Sequence, residues 1–304
     1  MTDRPKRARR VQLSTPGSSE KMMQKASESR ADHVFLDLED AVAPSQKRDA
    51  RKKIVTALKE LNWTGKTRCV RINDLTTEYA FEDIIEVVEG AGEHLDTIMM
   101  TKVLTPADIL FADKLLHQLE KKLKLKRRIG LEALIEEVEG MQNVDAIAQS
   151  TPRLECLVFG MGDFSASMGV TNKDVGSTEG YPGDVWHYAR FRLVMACRAA
   201  GIDPVDGPFA DFKNPEAYRE ECRRSMILGC VGKWAIHPSQ IEHALEIYSP
   251  KPEDVARARR LEKAYAEAEA KGLGAINVEG VMIDVASIRI LRNTILNKAD
   301  LYGM

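Results

Sequence analysis

Short apolar runs alternate with longer amphipathic stretches along most of this 304-residue chain. Eight of these runs are candidate strands: Val11–Thr15, His33–Leu38, Arg68–Ile72, Thr97–Val103, Arg128–Ile135, Cys156–Gly160, Asp203–Asp206 and Gly232–Ile236. The stretches between them have the periodicity of surface helices, and regular strand–helix alternation predicts parallel strands covered by helices. Eight such units within residues 11–249 favour an α/β fold of the closed (β/α)8 TIM-barrel type over an open doubly wound sheet.

A dinucleotide-binding fold has little support. Such folds carry a G-x-G-x-x-G turn directly after the first strand, and none follows Val11–Thr15. The nearest approach begins at Gly160 and Gly162, where Ser165 occupies the position of the third glycine.

The chain is predicted to begin with a disordered arm. The basic segment Arg4–Arg10 has no apolar core, so it is not a secretory signal. We interpret residues 1–10 as a solvated basic arm, with nuclear targeting as a weaker alternative, and residues 11–249 as the barrel domain.

Residues 250–304 are predicted to be an appendage of the barrel and not a second independent domain. Its first part is strongly helical and is broken by glycine at Gly272. Ala275–Ile283 then indicates a hairpin or extended flap, and Val285–Asn297 indicates a last helix.

Bulk properties exclude several classes of partner. The formal net charge of -2 gives no reason to expect nucleic acid, and no apolar stretch is long enough to span a membrane. The five cysteines are odd in number and contain no C-x-x-C pair, which favours a reducing, cytoplasmic compartment. Because the histidines show no ligand spacing either, we expect no Cys/His cluster, and zinc or copper is a poor match.

Carboxylates crowd the end of the second apolar run. Side chains alternate along a strand, so Asp37 and Glu39 point the same way, which is costly unless a cation or a hydrogen-bond network lies between them. Polar groups follow the other strands too, and in a TIM barrel these ends meet at the catalytic face. The predicted ring contains Thr15, Asp37, Glu39, Asp40, Arg71, Asn73, Lys102, Glu136, Glu137, Asp163, Asp206 and His237.

This ring predicts a metal-dependent site. Carboxylates with substrate oxygens and water are the usual ligands of Mg2+, with Mn2+ as the alternative ion. An arginine at a strand end can hold an enolate or a carboxylate through two N–H groups. We assign function to four strand ends, with Asp37 and Arg71 as catalytic residues and Glu136 and Asp163 as carboxylates of the same site.

Some members of the ring have a structural alternative. Asp40 can cap the next helix, and His237 with Pro238 can simply close the last strand. Lys102 can be a salt-bridged lysine of the barrel or a Schiff-base nucleophile.

Four segments of the chain carry a family resemblance: Leu36–Pro44, Val70–Asn73, Leu134–Glu136 and Gly162–Phe164. They resemble the citrate lyase β-subunit-like CoA-ester lyases of the HpcH/HpaI aldolase superfamily. A narrower likeness to malyl-CoA/β-methylmalyl-CoA lyases is carried by Pro152–Leu154, Asp163–Gly169, Val205–Phe209, Val231–Pro238 and Asp284–Arg289.

The resemblance implies a magnesium-dependent lyase that cleaves or forms a carbon–carbon bond next to a coenzyme A thioester, such as malyl-CoA giving acetyl-CoA and glyoxylate. It implies Glu136 and Asp163 as the metal ligands and Arg71 as the group that stabilises the oxyanion. It also implies a homo-oligomer, a trimer or hexamer, in which Asp284 on the C-terminal flap reaches a neighbouring subunit's site. Sequence physics alone would make Asp284 the cap of the helix that starts at Val285.

One departure from the malyl-CoA lyases concerns coenzyme A. Ser18 and Ser19 stand where those enzymes carry an arginine, and Lys21 and Lys25 are the nearest basic residues. We therefore assign the coenzyme A contacts to Lys21, together with Thr15 at the end of the first strand. A second departure is the loop Thr171–Asp184, which is shorter than in those enzymes.

Four other functions are the alternatives to a malyl-CoA lyase. They are a lyase for citramalyl-CoA or citryl thioesters, a thioesterase on the same site, a Schiff-base aldolase that uses Lys102, and a carrier-protein- or CoA-binding barrel with a decayed site.

Overall fold

The computed structural model describes residues 4–170 and 183–304 of the chain. In this part, eight parallel strands close into a barrel in chain order, because β1 pairs with β2 on one side and with β8 on the other. The strands are β1 (Val11–Pro16), β2 (His33–Asp37), β3 (Thr67–Arg71), β4 (Thr97–Met100), β5 (Gly130–Ile135), β6 (Leu154–Phe159), β7 (Asp203–Asp206) and β8 (Gly232–Ala235). Each strand overlaps one predicted run, and the TIM barrel is confirmed.

Helices cover the outside of the sheet between successive strands. They are α1 (Glu20–Glu28), α2 (Lys47–Glu60), α3 (Ala80–Ala91), α4 (Pro106–Leu123), α5 (Val138–Gln142), α6 (Val144–Ala148), α7 (Met161–Met168), α8 (His187–Ala200), α9 (Pro215–Leu228) and α10 (Ile241–Tyr248). Short 3-10 turns lie at Pro44–Gln46, Gly92–His94 and Pro238–Gln240. Most of the predicted loop Thr171–Asp184 falls outside the described residues.

Helix α4 illustrates how sequence fixes these elements. Thr105 and Asp108 form a reciprocal capping box at its start, and Pro106 occupies the first turn, where its missing N–H costs nothing. Ile109, Ala112, Leu116 and Leu119 are buried along one side of the helix. That spacing is the apolar stripe of a helix packed on a sheet.

The chain divides into two compact units, one built on Arg9–Glu246 and the other on Ile247–Met304. The second unit contains α11 (Pro252–Glu269), β9 (Ala275–Val278), β10 (Val281–Asp284), α12 (Val285–Leu291), a π-helical stretch (Arg292–Leu296) and α13 (Asn297–Tyr302). The last helix is therefore interrupted, where the sequence predicts one continuous helix.

The predicted flap is a hairpin of β9 and β10. Its two-residue turn is Glu279 and Gly280, both with positive φ (53° and 80°), which is the geometry of a type I′ turn. On the inner side, Ile283 packs in a small core with Leu261 and Tyr265 of α11. The other side leaves Met282 66% exposed.

The middle of the barrel is apolar. Its buried cluster contains Phe35, Cys69, Met99, Leu134, Cys156, Val158, Val205 and Trp234. These side chains alternate with residues that face the helices, as the pleat requires. They separate the two polar ends of the barrel interior.

A buried polar cluster lies at the amino-terminal ends of the strands, and we call Arg9, Gln12, His33, Thr97 and Glu132 the barrel floor. The Glu132 carboxylate accepts hydrogen bonds from Arg9, Gln12 and Thr97 at 3.2 Å and is 3.0 Å from His33 Nε2. Burial raises its pKa, but the charges of His33 and Arg9 outweigh this and hold the pKa below its usual range. The floor is thus built around one ionised, fully paired carboxylate.

The prediction of a disordered arm is wrong for Arg9. This side chain is 1% exposed and donates to Glu132, to Glu155 at 2.9 Å and to Asp203 at 2.9 Å. Arg4 is also ordered, because its Nη1 donates to Ala200 O at 2.9 Å. Glu132 and Glu155 are buried carboxylates that need a cation, and the segment before β1 provides it.

The fold also corrects the expectation that no Cys/His cluster exists. Ligand atoms of His33, Cys69 and Glu132 lie within 4.8 Å of one another inside the barrel. Both Glu132 oxygens already accept hydrogen bonds from the floor, however. The carboxylate therefore acts as the partner of Arg9 in this arrangement.

All five cysteines are buried free thiols. In the described part of the chain, no helix is both long and apolar enough to cross a membrane.

Candidate active site

Asp37 and Arg71 form a bidentate ion pair at the carboxyl ends of β2 and β3. The two residues are paired in the strand register, so their side chains meet on the same face. Arg71 Nε donates to Asp37 Oδ1 at 2.7 Å, and Nη2 donates to Oδ2 at 2.6 Å. Asp37 is fully buried, and two parallel charge-assisted bonds fix the plane of the guanidinium.

Arg71 is also the cation that the two like charges at the end of β2 require. Its Nη1 lies 3.0 Å from Glu39 Oε2, on the other side of the guanidinium from Asp37. Burial lowers the pKa of Arg71, but the charges of Asp37 and Glu39 raise it by more, so the side chain stays charged. Of the two arrangements predicted for Asp37 and Glu39, a cation or a hydrogen-bond network, the structure has the cation.

Two rings of the apolar layer lie beneath this guanidinium. The centroid of Trp234 is 5.2 Å from Arg71 Cζ, and that of Phe35 is 5.8 Å away. The cation–π contacts hold Arg71 from below while the carboxylates hold it at the sides. The arginine is therefore rigid before any substrate binds.

Lys102 is a salt-bridged lysine. Its Nζ lies 3.0 Å from Glu39 Oε1. Burial lowers the pKa of Lys102, but the hydrogen bond to Glu39 raises it by more, so its pKa lies above the ordinary value. A Schiff-base nucleophile must be neutral to attack, so this environment opposes that alternative.

Glu136 follows β5 and is 4% exposed. Its Oε1 accepts a hydrogen bond from the backbone N–H of Lys102 at 2.9 Å. Burial, and then the negative charge of Asp163, raise the pKa of Glu136 to about 8. A cation bound beside Glu136 would stabilise the ionised form of this carboxylate.

Asp163 lies in the first turn of α7, directly after β6, and is half-buried. No described residue donates a hydrogen bond to its carboxylate. Gly160 precedes it, and a Cβ at this position would lie 2.5 Å from Glu136 Cβ and 2.7 Å from Glu136 Oε2. The glycine therefore leaves the space in which the Glu136 side chain lies.

The donor set of this pair fits a hard divalent cation. Glu136 and Asp163 offer only carboxylate oxygens, and Glu136 keeps one oxygen, Oε2, beyond the bond from Lys102. Oxygen-only sites with one or two carboxylates suit Mg2+ or Mn2+. These two residues would hold the ion.

Two members of the predicted ring point away from the barrel mouth. Gln12 reaches Glu132 inside the barrel, so alternation along β1 turns Thr15 toward the helices. Asp206 likewise faces outward, where it binds Arg190 Nε at 2.9 Å and Lys233 Nζ at 2.5 Å. The assignments of Thr15 to coenzyme A and of Asp206 to the ring are not supported by this geometry.

Three further predicted residues make contacts of other kinds. Lys21 is an exposed residue of α1 and lines a surface cleft together with Lys53 of α2, so its role with coenzyme A stays a prediction. Asp284 belongs to the second unit, where its Oδ1 accepts from Ser287 N at 2.8 Å and caps α12. His237 stacks on Phe212 with ring centroids 4.6 Å apart.

Two functional details were not predicted from the sequence. The space that Gly160 leaves for Glu136 has only a weak signal, a glycine at the end of an apolar strand. The contact of the Lys102 backbone with Glu136 has no signal in the sequence, because it depends on the left-handed conformation of Lys102 (φ 48°).

A parallel eight-stranded barrel with an arginine and paired carboxylates at the carboxyl ends of its strands defines a TIM-barrel enzyme. A sequence model of the HpcH/HpaI aldolase/citrate lyase family matches residues 10–238. The chain belongs to this family, which confirms the resemblance found in the sequence.

Individual relatives agree with this placement. The chain is 42% identical to the L-malyl-CoA/β-methylmalyl-CoA lyase of Rhodobacter capsulatus over 94% of this chain and 93% of the relative. It is 33% identical to the malyl-CoA/β-methylmalyl-CoA/citramalyl-CoA lyase of Chloroflexus aurantiacus over 93% of this chain and 86% of the relative. Among solved structures, the chain is similar to CitE from Mycobacterium tuberculosis in complex with magnesium, acetoacetate and coenzyme A. The TM-score is 0.74 and the sequence identity is 27%, and the match covers 95% of this chain and 97% of that one.

Proposed function

We propose that this protein is a magnesium-dependent carbon–carbon lyase that cleaves or forms a 3-hydroxyacyl-CoA such as malyl-CoA. Cleavage of malyl-CoA gives acetyl-CoA and glyoxylate. The observation that carries the proposal is the meeting of Arg71 with the carboxylate pair Glu136 and Asp163 at one barrel mouth. The similarity to the two named lyases supports the choice of a coenzyme A thioester.

The metal has one function in this proposal. When bound by Glu136 and Asp163, the divalent ion acts as a Lewis acid toward a 2-oxo acid. The burial of Glu136 supports this assignment, because a buried carboxylate beside a second one needs a cation to remain ionised.

Arg71 stabilises the enolate oxygen of the acyl-CoA. A guanidinium has five N–H donors, of which two are hydrogen-bonded to Asp37, while Nη1 forms an ion pair with Glu39. The N–H groups that are not bonded to Asp37 can meet an oxyanion, in a plane that the Asp37 carboxylate has already fixed. Donors that are oriented before the reaction need no reorganisation when charge develops, and this preorganisation lowers the barrier.

Asp284 is the base that takes a proton from the α-carbon of the acyl-CoA, and a second copy of the chain supplies it. The enolate that forms then attacks the carbonyl of the 2-oxo acid, and cleavage is the reverse. Hydrogen bonds from the backbone and then the side chain of Ser287 hold the pKa of Asp284 below its ordinary value, so the carboxylate is ionised. The apolar flap residues Val281 and Met282, 45% and 66% exposed, support a covering subunit.

A panel of thioesters tests the proposed reaction. Malyl-CoA, β-methylmalyl-CoA, citramalyl-CoA and citryl-CoA are incubated with the enzyme in Mg2+ or in chelator, and the products are identified by mass spectrometry. We expect glyoxylate and acetyl-CoA from malyl-CoA in Mg2+ only. Free malate would instead indicate a thioesterase, and pyruvate from citramalyl-CoA alone would indicate the citramalyl-CoA lyase that the Chloroflexus relative's name includes.

A further inference from the structure

We propose that Lys102 positions the proposed lyase site from two sides, its backbone holding Glu136 and its ammonium group holding Glu39 against Arg71. The inference rests on the proposed function for its catalytic consequence, but its two contacts can be tested without any turnover.

The first contact is made by the backbone. Lys102 follows β4 and has φ 48°, a left-handed conformation that a side chain with a Cβ adopts only at a cost. In this conformation its N–H donates to Glu136 Oε1 at 2.9 Å. The bond aligns the carboxylate and leaves Oε2 for a cation.

The second contact is made by the side chain. Lys102 Nζ lies 3.0 Å from Glu39 Oε1, while Glu39 Oε2 lies 3.0 Å from Arg71 Nη1. Glu39 is therefore held between two cations. Because it is only 7% exposed, this carboxylate is shielded from most water. Loss of one cation frees a buried carboxylate to move, and Arg71 then loses one of its supports.

The two contacts explain why this left-handed position holds lysine. Glycine would adopt the backbone without strain but would lose the ammonium group. The other left-handed, non-glycine residues in the described chain have local explanations, since Lys124 ends α4 and Glu279 lies in the hairpin turn. Lys102 has no such role, so its conformation serves the contacts it makes.

The test compares Lys102→Met, Lys102→Gly and Lys102→Arg with wild type. Lys124→Met is the matched control, because it removes an exposed lysine with the same left-handed backbone (φ 55°). Mn2+ affinity is measured by titration calorimetry without substrate, and kcat and KM are measured with malyl-CoA and Mg2+.

We expect Lys102→Met to keep its Mn2+ affinity and KM but to lose about ten- to a hundredfold in kcat, as when a supporting partner is removed. Lys102→Gly should lose about tenfold in Mn2+ affinity as well, because a glycine without the side-chain contact is free to leave the left-handed conformation and then no longer holds Glu136. Lys102→Arg, which keeps a cation, should recover most of the kcat, and Lys124→Met should match wild type. A Lys102→Met variant with wild-type kcat, or one that binds Mn2+ as weakly as Lys102→Gly, would overturn the proposal.

Failure of the proposed function gives a different result. If the wild type cleaves none of the thioesters, the Mn2+ titrations still decide the backbone contact. A crystal structure of Lys102→Met decides the side-chain contact, with Glu39 and Arg71 displaced if the proposal holds and unmoved if it does not.

Discussion

Asp37 holds Arg71 in a fixed plane: the two residues are partners in the β2–β3 register, and two hydrogen bonds of 2.7 and 2.6 Å join them. An arginine at a barrel mouth would otherwise have many rotamers. Here the carboxylates of Asp37 and Glu39 at its sides leave only the remaining N–H groups to meet a substrate. The structural effect of Asp37 is therefore to position Arg71.

Replacing Arg71 by lysine tests this arrangement. We expect Arg71→Lys to lower kcat on the order of a hundredfold or more, because an ammonium group cannot satisfy Asp37 and an oxyanion together. Steady-state assays with malyl-CoA measure the loss. Arg68→Lys is the control, since Arg68 lies on the same strand but pairs with Asp96. Equal kcat values for Arg71→Lys and wild type would remove Arg71 from the mechanism.

Conservative variants can separate the helix cap that Asp284 forms from its proposed role as a base. Asparagine is as good a helix cap as aspartate but is not a base, whereas alanine is neither. We expect Asp284→Asn to keep the unfolding midpoint of the wild type but to lose turnover. Asp284→Ala should lose turnover and also unfold at a lower midpoint. An active Asp284→Asn enzyme would leave the bond to Ser287 as the only role of this carboxylate.

Mixed oligomers test whether Asp284 acts on a second copy of the chain. Asp284→Asn and Arg71→Lys proteins, each strongly impaired alone, should recover part of the lost activity after subunit exchange, because one site of the mixture then has both groups. Native mass spectrometry confirms that mixed oligomers have formed. Mixed oligomers that stay inactive, or an active monomer, would contradict delivery between subunits.

The metal affinity should depend on pH in a defined direction. Glu136 has its pKa raised to about 8, so below that pH the proton must leave before a cation can bind. We expect the affinity for Mg2+ to rise from pH 6 to about pH 8 and then to level off, with a proton released on binding. Calorimetry in buffers of different ionisation enthalpy counts that proton. Binding without proton release at pH 6.5 would show that Glu136 is already ionised.

Arg9 should be a stability residue of the barrel floor. Arg9→Met leaves the carboxylates of Glu132, Glu155 and Asp203 without their shared cation. Breaking a buried ion pair from one side typically costs about 3 to 5 kcal/mol, and urea unfolding measures the change. Lys6→Met, at an exposed position of the same segment, should have no effect. An equally small change for Arg9→Met would restore the interpretation of a solvated arm for this residue.

The barrel itself could be predicted from sequence because it depends on a local pattern. Apolar runs of strand length recur at regular spacing, and the polar residue at the end of each run marks the catalytic face. Asp37, Arg71 and Glu136 could be placed there for that reason.

The direction of each side chain could not be predicted in the same way. Thr15 and Asp206 also end strands, but the pleat turns them outward, and only the position of a neighbour such as Gln12 or Val205 reveals this. The role of Arg9 depends on carboxylates more than a hundred residues away, for example 123 residues in the case of Glu132. No local pattern contains that information.

The most direct test of the central claim is the release of glyoxylate from malyl-CoA by wild type and by Glu136→Gln, each with Mg2+ and with chelator. The account predicts rapid release by wild type in Mg2+, none in chelator, and loss of Mg2+-dependent release in Glu136→Gln with its fold intact by circular dichroism. Metal-independent release by the wild type, or a Glu136→Gln enzyme with wild-type kcat and Mg2+ affinity, would contradict it.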